Sequence, residues 1–348
     1  MLHTVGWDIG GAHVKAALID EHGCVLKVYL EASPLWKGLD YLDQALKNIL
    51  TQLPVADYQH AMTMTGELVD LFASRDDGVE KIIKALHGVI GDSELLIYRG
   101  QHGFIKPDQL KISHTIEIAS ANWMASASWA AQAIDNVLFV DVGSTTTDIL
   151  LCQNKVVDAL GLSDYQRLQS QELIYTGIVR TAVMALTQTT FFKGQSIGIM
   201  AEYFATMADV YRLTGELNEA HDKTDTADGQ PKTLAASAKR LARMIAYDFT
   251  DSELGLWKQF ALTLKSQQKQ QIQLACQRQL SRDFYDKDKP LCLMGAGIGR
   301  FLVKQIALDL KLPYQDFSTL FHTKIDKSTL SLADCAPAVA VGCLRLKC

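Results

Sequence analysis

The chain carries one short segment twice, and that repeat limits what it can fold into. Val5–Asp20 reads VGWDIGGAHVKAALID and Val137–Cys152 reads VLFVDVGSTTTDILLC. A shift of 133 positions lays Asp8 on Asp141, Ile9 on Val142, Gly10 on Gly143 and Gly11 on Ser144. The apolar runs Ala16–Ile19 and Ile149–Cys152 then coincide. Continuous apolar runs of this length read as buried strands. Each copy passes a polar turn (21–23; 153–155) into a third strand, Cys24–Leu30 and Val156–Leu160. The chain is therefore expected to hold two β-meanders, each with Asp-x-Gly at its first turn. Repetition on this scale implies a duplicated domain with a ligand between the halves.

The second turn is built for an anion. Gly143 lets backbone N–H groups approach a phosphate, and the hydroxyls of Ser144, Thr145, Thr146 and Thr147 can donate to its oxygens. Asp141 and Asp148 bracket the turn. A carboxylate beside a phosphate cradle calls for a cation between them, so Asp8 and Asp141 are the expected ligands of Mg²⁺. An ordinary hairpin with a hydroxyl-rich tip would explain one copy; two matched copies favour phosphate. Gly10 and Gly11 complete the first cradle, and Lys15 is placed to reach its charge.

Composition excludes other classes. A formal net charge of −5 offers no basic face for nucleic acid and no polybasic membrane patch. No run of about 18 apolar residues is present to span a membrane. The first strand is expected from Val5, and no signal peptide is expected ahead of it. Seven scattered cysteines without a CxxC pair read as reduced thiols, and the expected setting is the cytoplasm.

Along the chain, residues 39–53 repeat apolar positions at helical spacing, and Tyr58–Met64 reads as a strand. That strand delivers Thr65-Gly66-Glu67 into a predicted helix, the place where open α/β sheets bind ligands; Thr65 as helix cap is the structural alternative. Residues 79–91 predict a helix, Glu94–Tyr98 a strand, and Ile116–Ala133 one small-residue helix with Asn122 as cap or ligand contact. Residues 170–188 predict a helix containing Arg180. Ile197–Leu213 predicts a helix with Glu202, Asp209 and Arg212 on a solvated face. The polar stretch 218–233, with Asp222, Asp225, Asp228 and Lys232, reads from its residues as a solvated loop, with a cleft-lining loop as the alternative. Leu234–Phe249 predicts an amphipathic helix with Lys239, Arg240 and Arg243 on its outer side. Residues 258–280 predict a mostly solvated helix. Pro290–Phe301 predicts a strand, a turn through Gly295, Gly297 and Gly299, and a helix, with Gly295 and Gly297 as expected phosphate contacts. A Walker A motif is absent. A small-residue helix at 333–347 ends the chain.

Two Asp-x-Gly meanders and a late glycine turn resemble the actin, sugar-kinase and heat-shock-ATPase superfamily. DIGGAHVKAAL, DVGSTTTDI and GAGIG resemble its hydantoinase/oxoprolinase branch. MTGELVD (64–70), ASANWMA (119–125), TGIVRTAV (176–183), FATMADVYRL (204–213), DTADGQPKT (225–233), SAKRLARMIAYD (237–248) and CAPAVAVG (335–342) narrow the likeness to the tetrahydromethanopterin-linked one-carbon transfer pathway family.

The resemblance implies an α/β fold of two ribonuclease-H-like (actin-like ATPase) domains with a ligand cleft between them and a helical insertion in the second. The expected first domain is 1–133, completed by the helix at 333–347. The second is 134–332, with the insertion at about 170–280. The implied reaction couples a furan-methyl diphosphate to a phenolic amine or amino acid with release of diphosphate, as in methanofuran biosynthesis. The loop 218–233 then belongs to the substrate end, with Thr65, Gly66, Asn122, Arg180, Asp209, Asp225, Asp228 and Lys232 as substrate contacts. Glu67, Asp148 and Asp209 stay open as general base. Mg²⁺ is the expected cofactor, with ATP second to it. No nucleic acid or membrane partner is expected, and a homodimer is left open. Two rivals use the same residues: an ATP-dependent kinase or amidohydrolase, and a non-catalytic nucleotide-binding sensor or scaffold.

Overall fold

The computed structural model describes residues 2–282, 290–325 and 330–348. Contacts divide the chain into two compact units. The first comprises 1–139, 150–167 and 315–348; the second comprises 140–149 and 168–314.

The first meander folds as β1 (Leu2–Ile9), β2 (His13–Ile19) and β3 (Val25–Ala32). They pair antiparallel, with Asp8 opposite Lys15. β4 (Asp57–Met64) lies parallel to β1, and β5 (Glu94–Tyr98) parallel to β4. A short β6 (Phe104–Ile105) closes the order β3-β2-β1-β4-β5-β6. The helices Leu39–Thr51 and Arg75–Ile90 pack their apolar stripes on this sheet, where Leu42, Leu46, Ile49, Val79, Ile82 and Leu86 join Trp7, Ile9 and Met62 in one core. The C-terminal helix Ala336–Arg345 presses so close to β1 that a Cβ on Gly6 would lie 2.1 Å from the Ala338 carbonyl oxygen.

The second meander supplies β7 (Asn136–Val142), β8 (Thr147–Gln153) and a two-residue β9 (Val156–Val157). Beside β8 runs β10 (Leu173–Ile174), and a separate hairpin pairs β11 (Thr189–Phe192) with β12 (Gln195–Gly198). β13 (Cys292–Ala296) and β14 (Tyr314–Asp316) complete the order β10-β8-β7-β13-β14. The duplication therefore extends beyond the meanders. In both sheets the Asp-x-Gly strand has its hairpin partner on one side and a strand followed by a glycine turn on the other.

Several segments differ from expectation. Residues 170–188 are not one helix: they form β10, an extended stretch and the short helix Val183–Leu186. Ile178 N–H donates to Gly143 O, and the N–H groups of Val179 and Arg180 donate to Ser144 O, so the second Asp-x-Gly turn captures this backbone. Residues 116–133 break at Ser120, which has φ 51°, between the helices Thr115–Ile118 and Asn122–Ala133. Thr65 does not cap a helix; a single turn Gly66–Leu68 follows it, and the helix starts at Arg75 under a Ser74 cap. The helix Leu234–Arg243 holds Arg240 fully buried, not on an outer side. All seven cysteines are free. No helix among the described residues is long and apolar enough to cross a membrane.

Inside the first core, Trp7 Nε1–H donates to His60 Nδ1 at 3.0 Å. Burial pulls the His60 imidazole from 6.5 down to about 4. The unfolded chain then takes up the proton first, so stability falls as pH drops from 6.5 through 4. The full shift corresponds to about 3 kcal/mol. His60→Gln keeps an acceptor for Trp7 and does not titrate. Denaturant titrations at a series of pH values are expected to show a smaller acid loss in this variant; parallel curves would refute the assignment.

Candidate functional site

In the first unit the site is built where β1 and β4 end side by side. Gly10 N–H bonds back to His13 O at 3.0 Å, which closes the Asp-x-Gly turn. Thr65 N–H donates to Ile9 O at 2.9 Å, tying the two strand ends together. A Cβ on Gly66 would sit 3.2 Å from Gly10 C and O, and one on Gly11 would sit 2.9 Å from Val69 Cγ1. These contacts explain why glycine stands at both turns. Asp8 is only 5% exposed. Asn122 Nδ2 approaches Asp8 Oδ1 at 3.4 Å, while Asn122 Oδ1 accepts from Trp123 N–H. Asn122 thus presents its amide to the aspartate. Lys15 lies opposite Asp8 in the β1–β2 ladder.

Glu67 follows Gly66 directly and is 1% exposed. Burial raises its carboxyl pKa, with the Asp164 charge adding to the rise and the Ser120 hydrogen bond and Arg75 opposing it.

In the second unit Gly143 N–H donates to Thr146 O at 2.9 Å, closing the matching turn. Gly297 has φ 76°, and a Cβ there would lie 2.3 Å from Asp141 Oδ1 and from Val142 O. Gly299 N–H donates to Val142 O at 2.8 Å, as Thr65 N–H does to Ile9 O in the first unit. A Cβ on Gly295 would strike Tyr314, so this glycine serves packing behind the turn. Ser144 Oγ is buried without a hydrogen-bond partner. Thr147 Oγ1 donates to Thr176 O, which makes that hydroxyl part of the framework. Thr145 and Thr146 are partly exposed at the turn. Asp148 is partly exposed and sits opposite Leu173 in the β8–β10 pairing.

Arg180 comes to this turn. Its guanidinium NH1 lies 3.4 Å from Thr145 Oγ1. Gly177, which motif reading passed over, is packed so tightly that a Cβ would lie 2.5 Å from Thr145 N. The TGIVRTAV stretch was the available signal, but a helical reading hid its role.

The loop 218–233 is tied down by charge. Asp209 Oδ1 accepts from Arg240 Nε (2.9 Å) and NH2 (2.6 Å) and from Ser237 Oγ (2.7 Å). Arg212 bonds Glu219 at 2.7 and 2.9 Å and Asp222 at 2.6 Å. Asp228 pairs with Arg240 at 3.0 Å and Arg243 at 3.2 Å. Lys232 Nζ bonds Asp222 O at 2.7 Å. Asp209 and Arg212 are thus buried partners, not a solvated face, and Asp225 is exposed. Half-exposed Tyr203 lies within range of charges from both this network and Arg180. Its phenol is raised by burial, opposed by the Arg180 charge and reinforced by Asp209 and Asp222.

The donors at both turns are carboxylate, hydroxyl and backbone groups, the hard set that suits Mg²⁺. Among the described residues no cluster of three or more His, Cys, Asp or Glu could hold a metal. A Mg²⁺ here would take most of its ligands from phosphate and water, as Mg²⁺ commonly does. The orphaned Ser144 hydroxyl also fits a phosphate-bearing ligand.

Two α/β sheets of matching strand order, each with an Asp-x-Gly turn beside a glycine turn, define the actin-like ATPase fold. The nucleotide-free structure of acetone carboxylase shares this fold, with a TM-score of 0.55 at 10% identity over 98% of this chain and 70% of that one. Residues 59–330 match the hydantoinase/oxoprolinase family model, and the chain belongs to that family. It is similar to the (4-{4-[2-(γ-L-glutamylamino)ethyl]phenoxymethyl}furan-2-yl)methanamine synthase of Methanocaldococcus jannaschii, 33% identical over 70% of this chain and 72% of that protein. The Methanococcus vannielii protein of the same name is 34% identical over 35% of this chain and 55% of its own length.

The two arginines should separate by assay. Arg240→Met removes the guanidinium that donates twice to buried Asp209 and is expected to cost about 3–5 kcal/mol in denaturant unfolding. Arg180→Met is expected to keep the wild-type Tm while reducing the thermal shift produced by pyrophosphate with Mg²⁺. Equal destabilisation by both would refute the division of roles.

Proposed function

We propose that the protein is a synthase of methanofuran type. It couples a furan-methyl diphosphate to a tyramine- or tyrosine-type phenol with release of diphosphate, in tetrahydromethanopterin-linked one-carbon metabolism. The observation that carries this reading is the 33% identity over 70% of the chain to a protein named as such a synthase. In this reading 1–133 with 333–347, and 134–332 with its insertion, are the duplicated halves. A cytoplasmic setting belongs to the same proposal.

The chemistry demands three things. The phenolic oxygen attacks the CH₂ carbon, the C–O bond to diphosphate breaks, and its electron pair leaves with the diphosphate. Charge on the leaving group needs cations and oriented N–H donors. Gly10, Gly11, Gly143, Ser144, Thr145 and Thr146 would cradle phosphate, with Gly295 and Gly297 behind the second turn and Arg180 and Lys15 supplying positive charge. Asp8 and Asp141 would hold Mg²⁺, which neutralises leaving-group charge when bound. Thr65, Gly66, Asn122 and the loop carrying Asp225, Asp228 and Lys232 would form the substrate end. The phenol has a pKa of about 10 and reacts better once deprotonated, so a base is needed. Glu67, Asp148 and Asp209 are the candidates for it, Asp209 being held by Arg240 and Ser237 and Glu67 by Ser120.

Purified protein with Mg²⁺, the diphosphate and a panel of tyramine and tyrosine derivatives is expected to release pyrophosphate and form an ether without ATP. Asp141→Asn, which removes charge at constant shape, is expected to abolish turnover while keeping the fold. A phosphorylated product formed only with ATP would assign the site to a kinase. ATP-coupled amide hydrolysis would assign it to an amidohydrolase, and nucleotide binding without turnover in any mixture to a sensor.

A further inference from the structure

The long helix Leu254–Leu280 carries a run of glutamines whose composition predicts a solvated surface. The structure buries two of them completely: Gln268 and Gln279 are each 0% exposed. They are buried along the helix with Leu264, Ile272, Ala275 and Cys276. An amide among apolar side chains is costly unless it is hydrogen-bonded. Here the amides meet backbone. Gln279 Nε2 donates to Ser170 O at 2.8 Å, Gln271 Nε2 to Leu186 O at 2.7 Å and Gln267 Nε2 to Thr189 O at 3.0 Å. The segment 170–189 has little regular pairing of its own, so its carbonyls need donors from elsewhere. The helix supplies them through side chains.

Gln268 holds the part of this segment that meets the second turn. Its Nε2 donates to Thr176 Oγ1 at 2.8 Å and to Gly177 O at 2.9 Å, and its Oε1 accepts from the Tyr211 hydroxyl. A carbonyl can only accept, so Gly177 O fixes which end of the amide faces it. Burial raises the Tyr211 phenol well above its ordinary value, with the Glu216 charge adding to the rise, so it stays protonated and donates. Both residues that Gln268 grips are packed on the turn. Thr176 O accepts from Thr147 Oγ1 at 2.7 Å. Gly177 lies so close that a Cβ would sit 2.5 Å from Thr145 N and 2.7 Å from Gly143 O. The backbone then runs on into the Ile178, Val179 and Arg180 N–H groups that bond Gly143 O and Ser144 O. Gly177 N–H donates to Thr181 Oγ1 at 2.8 Å, which closes the stretch on itself.

We propose that Gln268 is a positioning residue of the second turn. By fixing Thr176 and Gly177 it sets where the N–H and hydroxyl groups of 143–147 point, and with them the affinity for a diphosphate group. It acts through this backbone and not on the ligand. The ligand rests on the phosphate reading of the turn, while the positioning does not.

Gln268→Met keeps the volume and removes the amide. Gln279→Met does the same at a buried glutamine whose carbonyl partner lies outside the stretch on the turn, so it reports stability alone. Hydrogen exchange followed by mass spectrometry reads the positioning. Amides in peptides covering 143–147 and 176–180 are expected to exchange about tenfold faster in Gln268→Met than in Gln279→Met, near the net worth of one hydrogen bond. Calorimetric titration with pyrophosphate and Mg²⁺ reads the consequence. The Kd is expected to rise about tenfold in Gln268→Met and to match wild type in Gln279→Met. Tyr211→Phe takes away only the donor to Oε1; it is expected to shift both readouts in the same direction, and it decides the outcome if Gln268→Met does not fold. Equal exchange in the two glutamine variants would overturn the positioning. Faster exchange with an unchanged Kd would overturn its bearing on the ligand. Faster local exchange in a protein whose wild type binds neither pyrophosphate nor ATP with Mg²⁺ would uphold the positioning and sink the phosphate reading of the turn.

Discussion

Close backbone approach at the ends of two strand pairs is the constraint on which the rest depends. Each Asp-x-Gly strand ends against a glycine turn carried by its neighbour, and neither has room for a side chain. Gly66 meets the Gly10 backbone, and Gly297 meets both Asp141 and the Val142 carbonyl. Such contacts hold aspartates and N–H groups at the carboxyl ends of the strands, where open α/β sheets bind ligands. A side chain at Gly297 would displace Asp141 directly, so turn geometry and carboxylate placement are one problem. The same close approach recurs at Gly6 and Gly177, where a helix and a connecting segment close on the meanders.

Charge does for the second unit's polar loop what apolar packing does elsewhere. Residues 218–233 are too polar to bury a core. Arg212 and Arg240 instead reach into them from the helices Met207–Thr214 and Leu234–Arg243 and gather Asp209, Glu219, Asp222 and Asp228. Buried ion pairs contribute less to stability than their number suggests, because desolvation offsets much of the attraction. Their value lies in geometry, since a bidentate guanidinium fixes its partners in one arrangement. The Tyr203 phenol feels the charges of both this framework and Arg180.

The meanders were legible because their pattern is local. Apolar runs, polar turns and the Asp-x-Gly spacing each lie within a few residues, and an internal repeat needs no knowledge of tertiary structure. The shared strand order was half visible, since the partner strands β4 and β13 read as strands while their placement beside the Asp strands did not. What failed to show was decided at long range. Residues 170–188 have helical spacing, yet the carbonyls of Gly143 and Ser144 capture their backbone. Ser120 looked like one small residue in a small-residue helix, and only Glu67 and Asp164, distant in sequence, reveal why the helix breaks there. Arg240 read as part of a solvated face because periodicity cannot foresee that Asp209 lies opposite. The polar-loop residues stood out by composition, but composition does not distinguish a substrate contact from a framework pair.

The phosphate turns act in this account as a clamp on a leaving group, and phosphorus is never attacked. That claim is open to a single isotope measurement. Furan-methyl diphosphate labelled with ¹⁸O at the oxygen joining carbon to phosphorus is coupled to the phenol, and both products are weighed by mass spectrometry. Displacement at carbon breaks the C–O bond, so the account predicts that the label leaves entirely with pyrophosphate. Label retained in the furan-containing product would mean that the P–O bond broke, and would contradict it.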